Sequence, residues 1–227
     1  MGSSDPQLAL QAALIVQQDV SAFDLNCGCP KLFSIHSGMG AALLSTPHLL
    51  VQILNTLIQH TDKPVSCKIR ILENLHETLE LIKKIQNTGI VSLAVHCRTR
   101  EERSKDPAHW EIFNHLLPIM KIPLIVNGDF LTHENILKFH QLYPSIQHFL
   151  IARGAEANPS IFRGSSDKLL PLFEYAKDYL NICISLGNNF PNTKYVLVHF
   201  WTMSNIDITK CSVGSKILYG KSFEDFK

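Results

Sequence analysis

The segment Asn26-Cys27-Gly28-Cys29-Pro30-Lys31 directly follows the apolar run Ala22-Phe23-Asp24-Leu25. It places thiols on a turn shaped by Gly28 and Pro30, at the mouth of a strand. A thiol with an ordinary pKa near 8.5 is mostly protonated at neutral pH, so Cys29 there can deliver a proton. The design recurs along the chain. Polar residues gather where other strand-like runs end, in Cys67-Lys68-Ile69-Arg70, Val95-His96-Cys97-Arg98, Val126-Asn127-Gly128-Asp129 and Ala152-Arg153-Gly154. Residues two apart in a strand share a face, so Lys68 and Arg70 point together, as do His96 and Arg98. A lysine in the middle of Val-Ser-Cys-Lys-Ile needs an anion or a polarised acceptor. Arg70 and Arg98, taken alone, suit surface salt bridges equally well. Arg153-Gly154 lies on a turn of the kind that presents backbone N–H groups to a phosphate. Asn127-Gly128-Asp129, one strand earlier, is suited to complete that cradle.

The elements that must position these groups alternate. Amphipathic patterns predict helices over about 5–18, 46–60, 73–88, 108–119 and from Thr132 onward. Between them, strands are predicted at about 21–26, 64–70, 90–96, 122–127 and 148–152. Strict alternation implies a parallel sheet, and the Val/Ile/Leu-rich strand cores suit strands covered by helices. In such sheets the carboxyl edge is where ligands bind. After Pro159 the pattern turns helical, with a long helix over 169–186, and a boundary is expected near Arg163–Asp167. The tail from Ser204 has too weak a periodicity to assign.

Composition bounds the function. The chain has 227 residues, 45% of them apolar, and a formal net charge of +1. That excludes a strongly basic nucleic-acid tail but not a local basic face. The six cysteines have no framework spacing, which points to a reduced, intracellular compartment. No run reaches the length of a membrane span. The start Met1-Gly2-Ser3-Ser4-Asp5-Pro6 lacks the regions of a signal peptide and the spacing for a lipid anchor. Cys27, Cys29, His36, His96 and Cys97 are zinc-ligand types, but they lack the spacing of a zinc site. Most of the eleven histidines fall on polar helix faces or in loops.

Several blocks, in order, resemble the tRNA-dihydrouridine synthase family, and most of all its eukaryotic branch acting on D-loop uridine 20. They are Asn26 to Lys31, Gly38-Met39-Gly40-Ala41-Ala42-Leu43-Leu44, Cys67 to Leu72, Ala94 to Arg98, Ile151-Ala152-Arg153, Asn158-Pro159-Ser160-Ile161-Phe162 and Asn192-Thr193-Lys194-Tyr195. The resemblance covers about residues 1–200. It implies an α/β fold, a TIM (β/α)8 barrel binding flavin mononucleotide (FMN), followed by a C-terminal helical domain that binds tRNA. It implies NADPH as reductant, hydride transfer to C6 of a uracil, and Cys29 as the proton donor to C5. It assigns Lys68 to the N1–O2 edge of the flavin and His96 to holding the flavin. Asn127, Gly128, Asp129, Ala152 and Arg153 fall to the flavin phosphate. Asn26, Arg70 and Arg98 become candidate uracil or flavin contacts, and Lys168, Lys177, Lys194 and Tyr195 candidate tRNA contacts. A cytoplasmic location is expected with it, and the target base must leave its stack to react.

Departures from the pattern are also expected to matter. The chain starts where the family has passed its third barrel strand, so the five strands read as the fourth to eighth of an incomplete barrel. The expected divisions are 1–163 for the partial barrel, 168–203 for a partial helical domain and 204–227 for an unassigned tail. His36 and Ser37 stand where the family usually has Lys and Gly, and Cys97 and Asp129 where it commonly has Gly. An extra carboxylate near a phosphate is unfavourable unless it points away. Two other readings stay open: a non-catalytic RNA-binding or interaction remnant, and a flavin barrel that reduces a free pyrimidine.

Overall fold

Five apolar runs pair as parallel strands: β1 (Phe23–Cys27), β2 (Val65–Arg70), β3 (Leu93–His96), β4 (Leu124–Asn127) and β5 (His148–Leu150). Their order in the sheet is their order in the chain. The structure is a computed structural model and describes residues 1–164, 168–204 and 206–226. The expected boundary near Arg163–Asp167 falls partly on 165–167, outside the described residues.

The chain separates into two units. The first holds residues 1–129 and 138–150, and the second holds 130–137 and 151–227. In the first, strand side chains alternate as a period of two requires. Phe23, Leu25 and Cys27 of β1 are buried, and Asp24 and Asn26 are exposed. Val65, Cys67, Ile69, Leu93, Val95, Leu124 and Val126 continue the buried face. Helix α1 (Pro6–Val16) starts where the Asp5 carboxylate accepts the N–H groups of Gln7 and Leu8, with Pro6 in the first turn, where no N–H is missed. A short helix α2 (Leu32–His36) and a 3-10 turn (Gly40–Ser45) follow β1. Neither is marked by a helical period in the sequence, because five or six residues are too few to carry one.

Helix α3 (Pro47–His60) buries Leu50, Ile53, Leu54 and Leu57, and α4 (Leu75–Gln86) buries Leu81, Ile82 and Ile85. Each such side chain is worth roughly 1.5–3 kcal/mol when fully removed from water. Asn74 caps α4, and Gly89, at φ +93°, ends that segment in a conformation that other residues adopt at a cost. The single helix expected over 108–119 is instead α5 (Phe113–Leu116) between two 3-10 turns, the second holding Pro118, whose ring cannot continue an α-helix. Phe113, Phe139, Tyr143 and Phe149 pack edge to face or tilted nearby. On the outer edge of β1, Met1 makes a parallel bridge: its ammonium donates to the Asp24 carbonyl at 2.7 Å and its carbonyl accepts from the Asn26 N–H at 2.8 Å.

Helix α6 (His133–Leu142) spans residues of both units. The described remainder of the second unit is helical: α7 (Arg153–Ala157), α8 (Leu172–Ser185), α9 (Phe190–Met203) and α10 (Ser212–Tyr219), with 3-10 turns between and after them. Its core is Leu172, Tyr175, Ala176, Leu197, Phe200, Trp201 and Ile217. The tail that resisted assignment supplies α10, and Ile217 anchors it to that core.

Candidate active site on the polar face of the sheet

The face of the sheet opposite the buried one is polar, and register assembles it. Asn26 pairs with Lys68, and Lys68 with Ala94. One step further along, Arg70 pairs with His96, and His96 with Asn127. All five strands run the same way, so their carboxyl ends and the loops beyond share one edge. Cys29 therefore leaves the sheet at the edge toward which Lys68, Arg70 and His96 are stacked.

The turn carrying Cys29 is held from several sides. The Asn26 side-chain oxygen accepts the N–H groups of Gly28 (3.1 Å) and Cys29 (3.0 Å), closing an Asx turn. The Cys29 carbonyl accepts the Ala41 N–H at 3.0 Å. Gly40 sits at φ +59°, and a Cβ there would lie 2.7 Å from the Cys29 carbonyl oxygen. Only glycine lets that strand of backbone approach so closely. The Cys29 thiol is half-buried, whereas the Cys27 thiol is fully buried on the other face and leans on the Leu25 carbonyl.

Lys68 has no hydrogen-bond or ion-pair partner for its ammonium among the described residues. Burial and then the neighbouring Arg70 guanidinium pull its pKa down to about 8, with Asp24 opposing. Asp24 itself accepts a hydrogen bond from Ser66 at 2.7 Å. His96 is pulled down to about 3, by burial first and then by Lys68, Arg70 and Arg98. Its tautomer follows from geometry. Arg98 can only donate, so at 3.3 Å the His96 Nε2 must accept, and the proton of the neutral ring sits on Nδ1. That N–H has no partner among the described residues. The face thus offers a lone ammonium and a neutral imidazole donor, a set that fits the electron-rich acceptor edge of a planar group.

Arg70 and Arg98 are not in surface salt bridges. Arg98 is 2% exposed, donates to the Asp106 carbonyl through Nε and Nη2, and clasps the Asp129 carboxylate at 2.6 and 2.7 Å. Asp129, a left-handed residue at φ +58°, also accepts the Ala108 N–H. Its carboxylate is therefore directed to Arg98, which answers the expected conflict with a phosphate. Arg70 is 8% exposed and donates to three carbonyls, those of Gly28, Thr99 and Glu102. It was first weighed as a surface or ligand-facing group because a sequence does not reveal carbonyl acceptors.

The remaining candidates divide. Asn127 donates its amide to the Leu150 carbonyl at 2.8 Å, joining β4 to β5, and its own carbonyl accepts the Cys97 N–H and thiol. The Cys97 thiol, pushed up to about 12 mainly by burial, is a packing group. Gly128, at φ +132°, has no room for a Cβ, which would meet the Cys97 sulfur at 2.8 Å, and its carbonyl accepts the Trp110 indole N–H. In the second unit, Ala152 and Arg153 stand at the start of α7, where Gly154 abuts the Phe130 and Leu131 carbonyls. Lys194 donates to the Gly220 carbonyl at the end of α10, and Tyr195 is 68% exposed and stacked on His199. Sequence reasoning missed Glu102 and His109. Glu102 accepts the Thr99 N–H at 2.6 Å and meets His109 Nε2 at 2.6 Å, while His109 Nδ1 meets Glu111 at 3.1 Å. Nothing in the spacing of the Arg100-Glu101-Glu102-Arg103 run signals a clamp.

The family model for dihydrouridine synthase (Dus) matches residues 1–185. This chain belongs to the dihydrouridine synthase family. It is 41% identical over 204 residues to the tRNA-dihydrouridine(20) synthase [NAD(P)+] of Schizosaccharomyces pombe, covering 87% of this chain and 42% of that protein. It is 38% identical to the protein of the same name in Saccharomyces cerevisiae, over 87% of this chain and 54% of that one. The human tRNA-dihydrouridine(20a/20b) synthase [NAD(P)+]-like protein is 32% identical, over 87% of this chain and 60% of that one. The chain thus spans about half the length of the curated relatives it matches. No helix among the described residues is long and apolar enough to cross a membrane.

Proposed function

We propose that this chain carries the reaction face of an FMN-dependent, NADPH-driven enzyme that reduces a tRNA uridine, at D-loop position 20, to 5,6-dihydrouridine. The observation that carries this is a half-buried Cys29 thiol on the turn just past β1, whose Asn26 is in register with Lys68, an ammonium with no partner among the described residues. Family membership and the names of the relatives support it. The parallel sheet is read as strands four to eight of a (β/α)8 barrel, residues 1–163, with a helical tRNA-binding segment at 168–203. Cytoplasmic location goes with the same reading.

The residues present fit the cofactor. A flavin takes up negative charge on reduction, and Lys68 is a half-buried cation with no ion-pair partner among the described residues, so binding there would lift its pKa back toward the ordinary lysine value. The His96 Nδ1–H is available as a neutral donor on the same face. When bound, FMN reduced by NADPH would supply the hydride to C6 of the uracil. Cys29 would donate its proton to C5, and the Asx turn from Asn26 holds its backbone for that transfer. Arg98 and Asp129 neutralise each other and keep the β3 and β4 ends rigid. The backbone of Asn127, Gly128 and Asp129 is proposed for the phosphate. For Ala152 and Arg153 the assignment rests on the resemblance. Lys68 stabilises charge electrostatically and moves no proton.

The chain purified without added flavin should show flavin absorbance bands, oxidise NADPH and form dihydrouridine in an unmodified tRNA transcript. A colourless protein that binds tRNA without reducing it would favour the remnant. Faster reduction of free uracil than of tRNA would favour a pyrimidine-reducing barrel.

A further inference from the structure

Resting on the role given to Cys29 above, we propose that Arg70 is a positioning residue. It sets the Cys29 turn by gripping it against the loop after β3, and Glu102 with His109 locks that grip. The bonds form one unbroken path. His109 lies between the carboxylates of Glu102 (2.6 Å) and Glu111 (3.1 Å). The second oxygen of Glu102 holds the Thr99 N–H at 2.6 Å. Arg70 Nη1 donates to the carbonyls of Thr99 (2.6 Å) and Glu102 (3.1 Å), both fixed by that clamp. Arg70 Nε donates to the Gly28 carbonyl at 3.0 Å, one peptide before Cys29. Three acceptors from two loops meet one planar fork, which a lysine ammonium cannot reproduce. The path reaches the thiol's own backbone, whose N–H is held by Asn26 and whose carbonyl is held by Ala41.

Geometry also supports positioning. Arg70 is 8% exposed, and Nε and Nη1 are committed to protein carbonyls. A displacement of a reacting group by about 1 Å can cost on the order of a hundredfold in rate, so releasing this grip should act on the chemical step.

The test uses the full chain with Arg70→Met, Arg70→Lys and Glu102→Gln. Cys29 alkylation by iodoacetamide, resolved by peptide mass spectrometry, reads the turn without flavin or tRNA. Arg70→Met should lower kcat for uridine reduction roughly tenfold to a hundredfold. KM for tRNA and flavin reduction by NADPH should stay unchanged, and Cys29 alkylation should change severalfold. Arg70→Lys should not rescue, and Glu102→Gln should shift both readouts in the same direction by less. A rise in KM with alkylation unchanged would overturn the proposal and make Arg70 a substrate contact. If Arg70→Met does not fold, Glu102→Gln decides: unchanged alkylation overturns the path. If the wild-type chain reduces no uridine, the functional reading fails, while the alkylation arm still tests the grip.

Discussion

Cys67 and Lys68 are neighbours in β2, yet they face opposite sides of the sheet and meet opposite conditions. On the helix-covered face, Cys67 is fully buried, and a hydrogen bond with Cys27, then burial, pushes its thiol well up. Among the described residues, the strand side chains on that face carry no charge. On the polar face, Lys68 is pulled down to about 8 by burial and by Arg70, but it stays cationic at neutral pH with no partner among the described residues. The same contrast separates Cys27 from Cys29, two residues apart. One thiol packs and the other meets the open edge. A closed face spends its residues on folding, and an open one keeps groups whose charge a ligand must answer.

The largest effect expected from breaking this contrast is on stability. Asp129→Ala leaves the Arg98 guanidinium, 2% exposed, without its counter-charge. Because Asp129 is partly exposed, a cost at the lower end, about 3 kcal/mol, is expected in urea unfolding. A cost below about 1 kcal/mol would mean that the pair is screened like a surface bridge. Lys68→Met should weaken FMN binding about tenfold to a hundredfold, the loss of one charge-assisted hydrogen bond. Wild-type affinity for FMN should fall as pH rises through about 8, where the unliganded ammonium gives up its proton. An affinity flat across that range would remove Lys68 from the site. Cys27→Ala, on the closed face, should cost about 1 kcal/mol of stability and leave uridine reduction unchanged.

The smallest effects are in titration. His96 should show no imidazole titration by NMR between pH 5 and 8, since its pKa lies near 3. His109 should behave in the opposite way. Hydrogen bonding to Glu102 raises its pKa, burial opposes, and Glu111 adds to the rise. A raised folded pKa means its contribution is full below the ordinary value near 6.5 and is lost as pH climbs through the raised one. Amide exchange at Thr99, corrected for its intrinsic pH dependence, should therefore lose protection as pH rises above neutral.

Much of the frame was legible in the sequence. Periods of two and 3.6 located all five strands and α1, α3, α4, α6 and α8, because burial enforces them, while α9 was expected only as part of the helical segment 168–203. Elements of five or six residues, such as α2 and the 3-10 turn at Gly40–Ser45, lie below that resolution. Lys68 was legible as unusual because it interrupts an apolar run. Arg70 and Arg98 were legible as paired by face but not as buried. Their acceptors are backbone carbonyls and a carboxylate 31 residues away, and no local pattern encodes those. The Glu102–His109 clamp was hidden for the same reason. The helix α10, past the reach of the family pattern, became visible only through Ile217 packing on the core of α8 and α9.

Cys29→Ala, assayed in two half-reactions with NADPH and an unmodified tRNA transcript, tests the central claim most directly. Flavin reduction should proceed as in the wild type, while uridine reduction drops on the order of 10²- to 10⁴-fold, the usual worth of a positioned general acid. Uridine reduced at the wild-type rate by that variant would contradict the account.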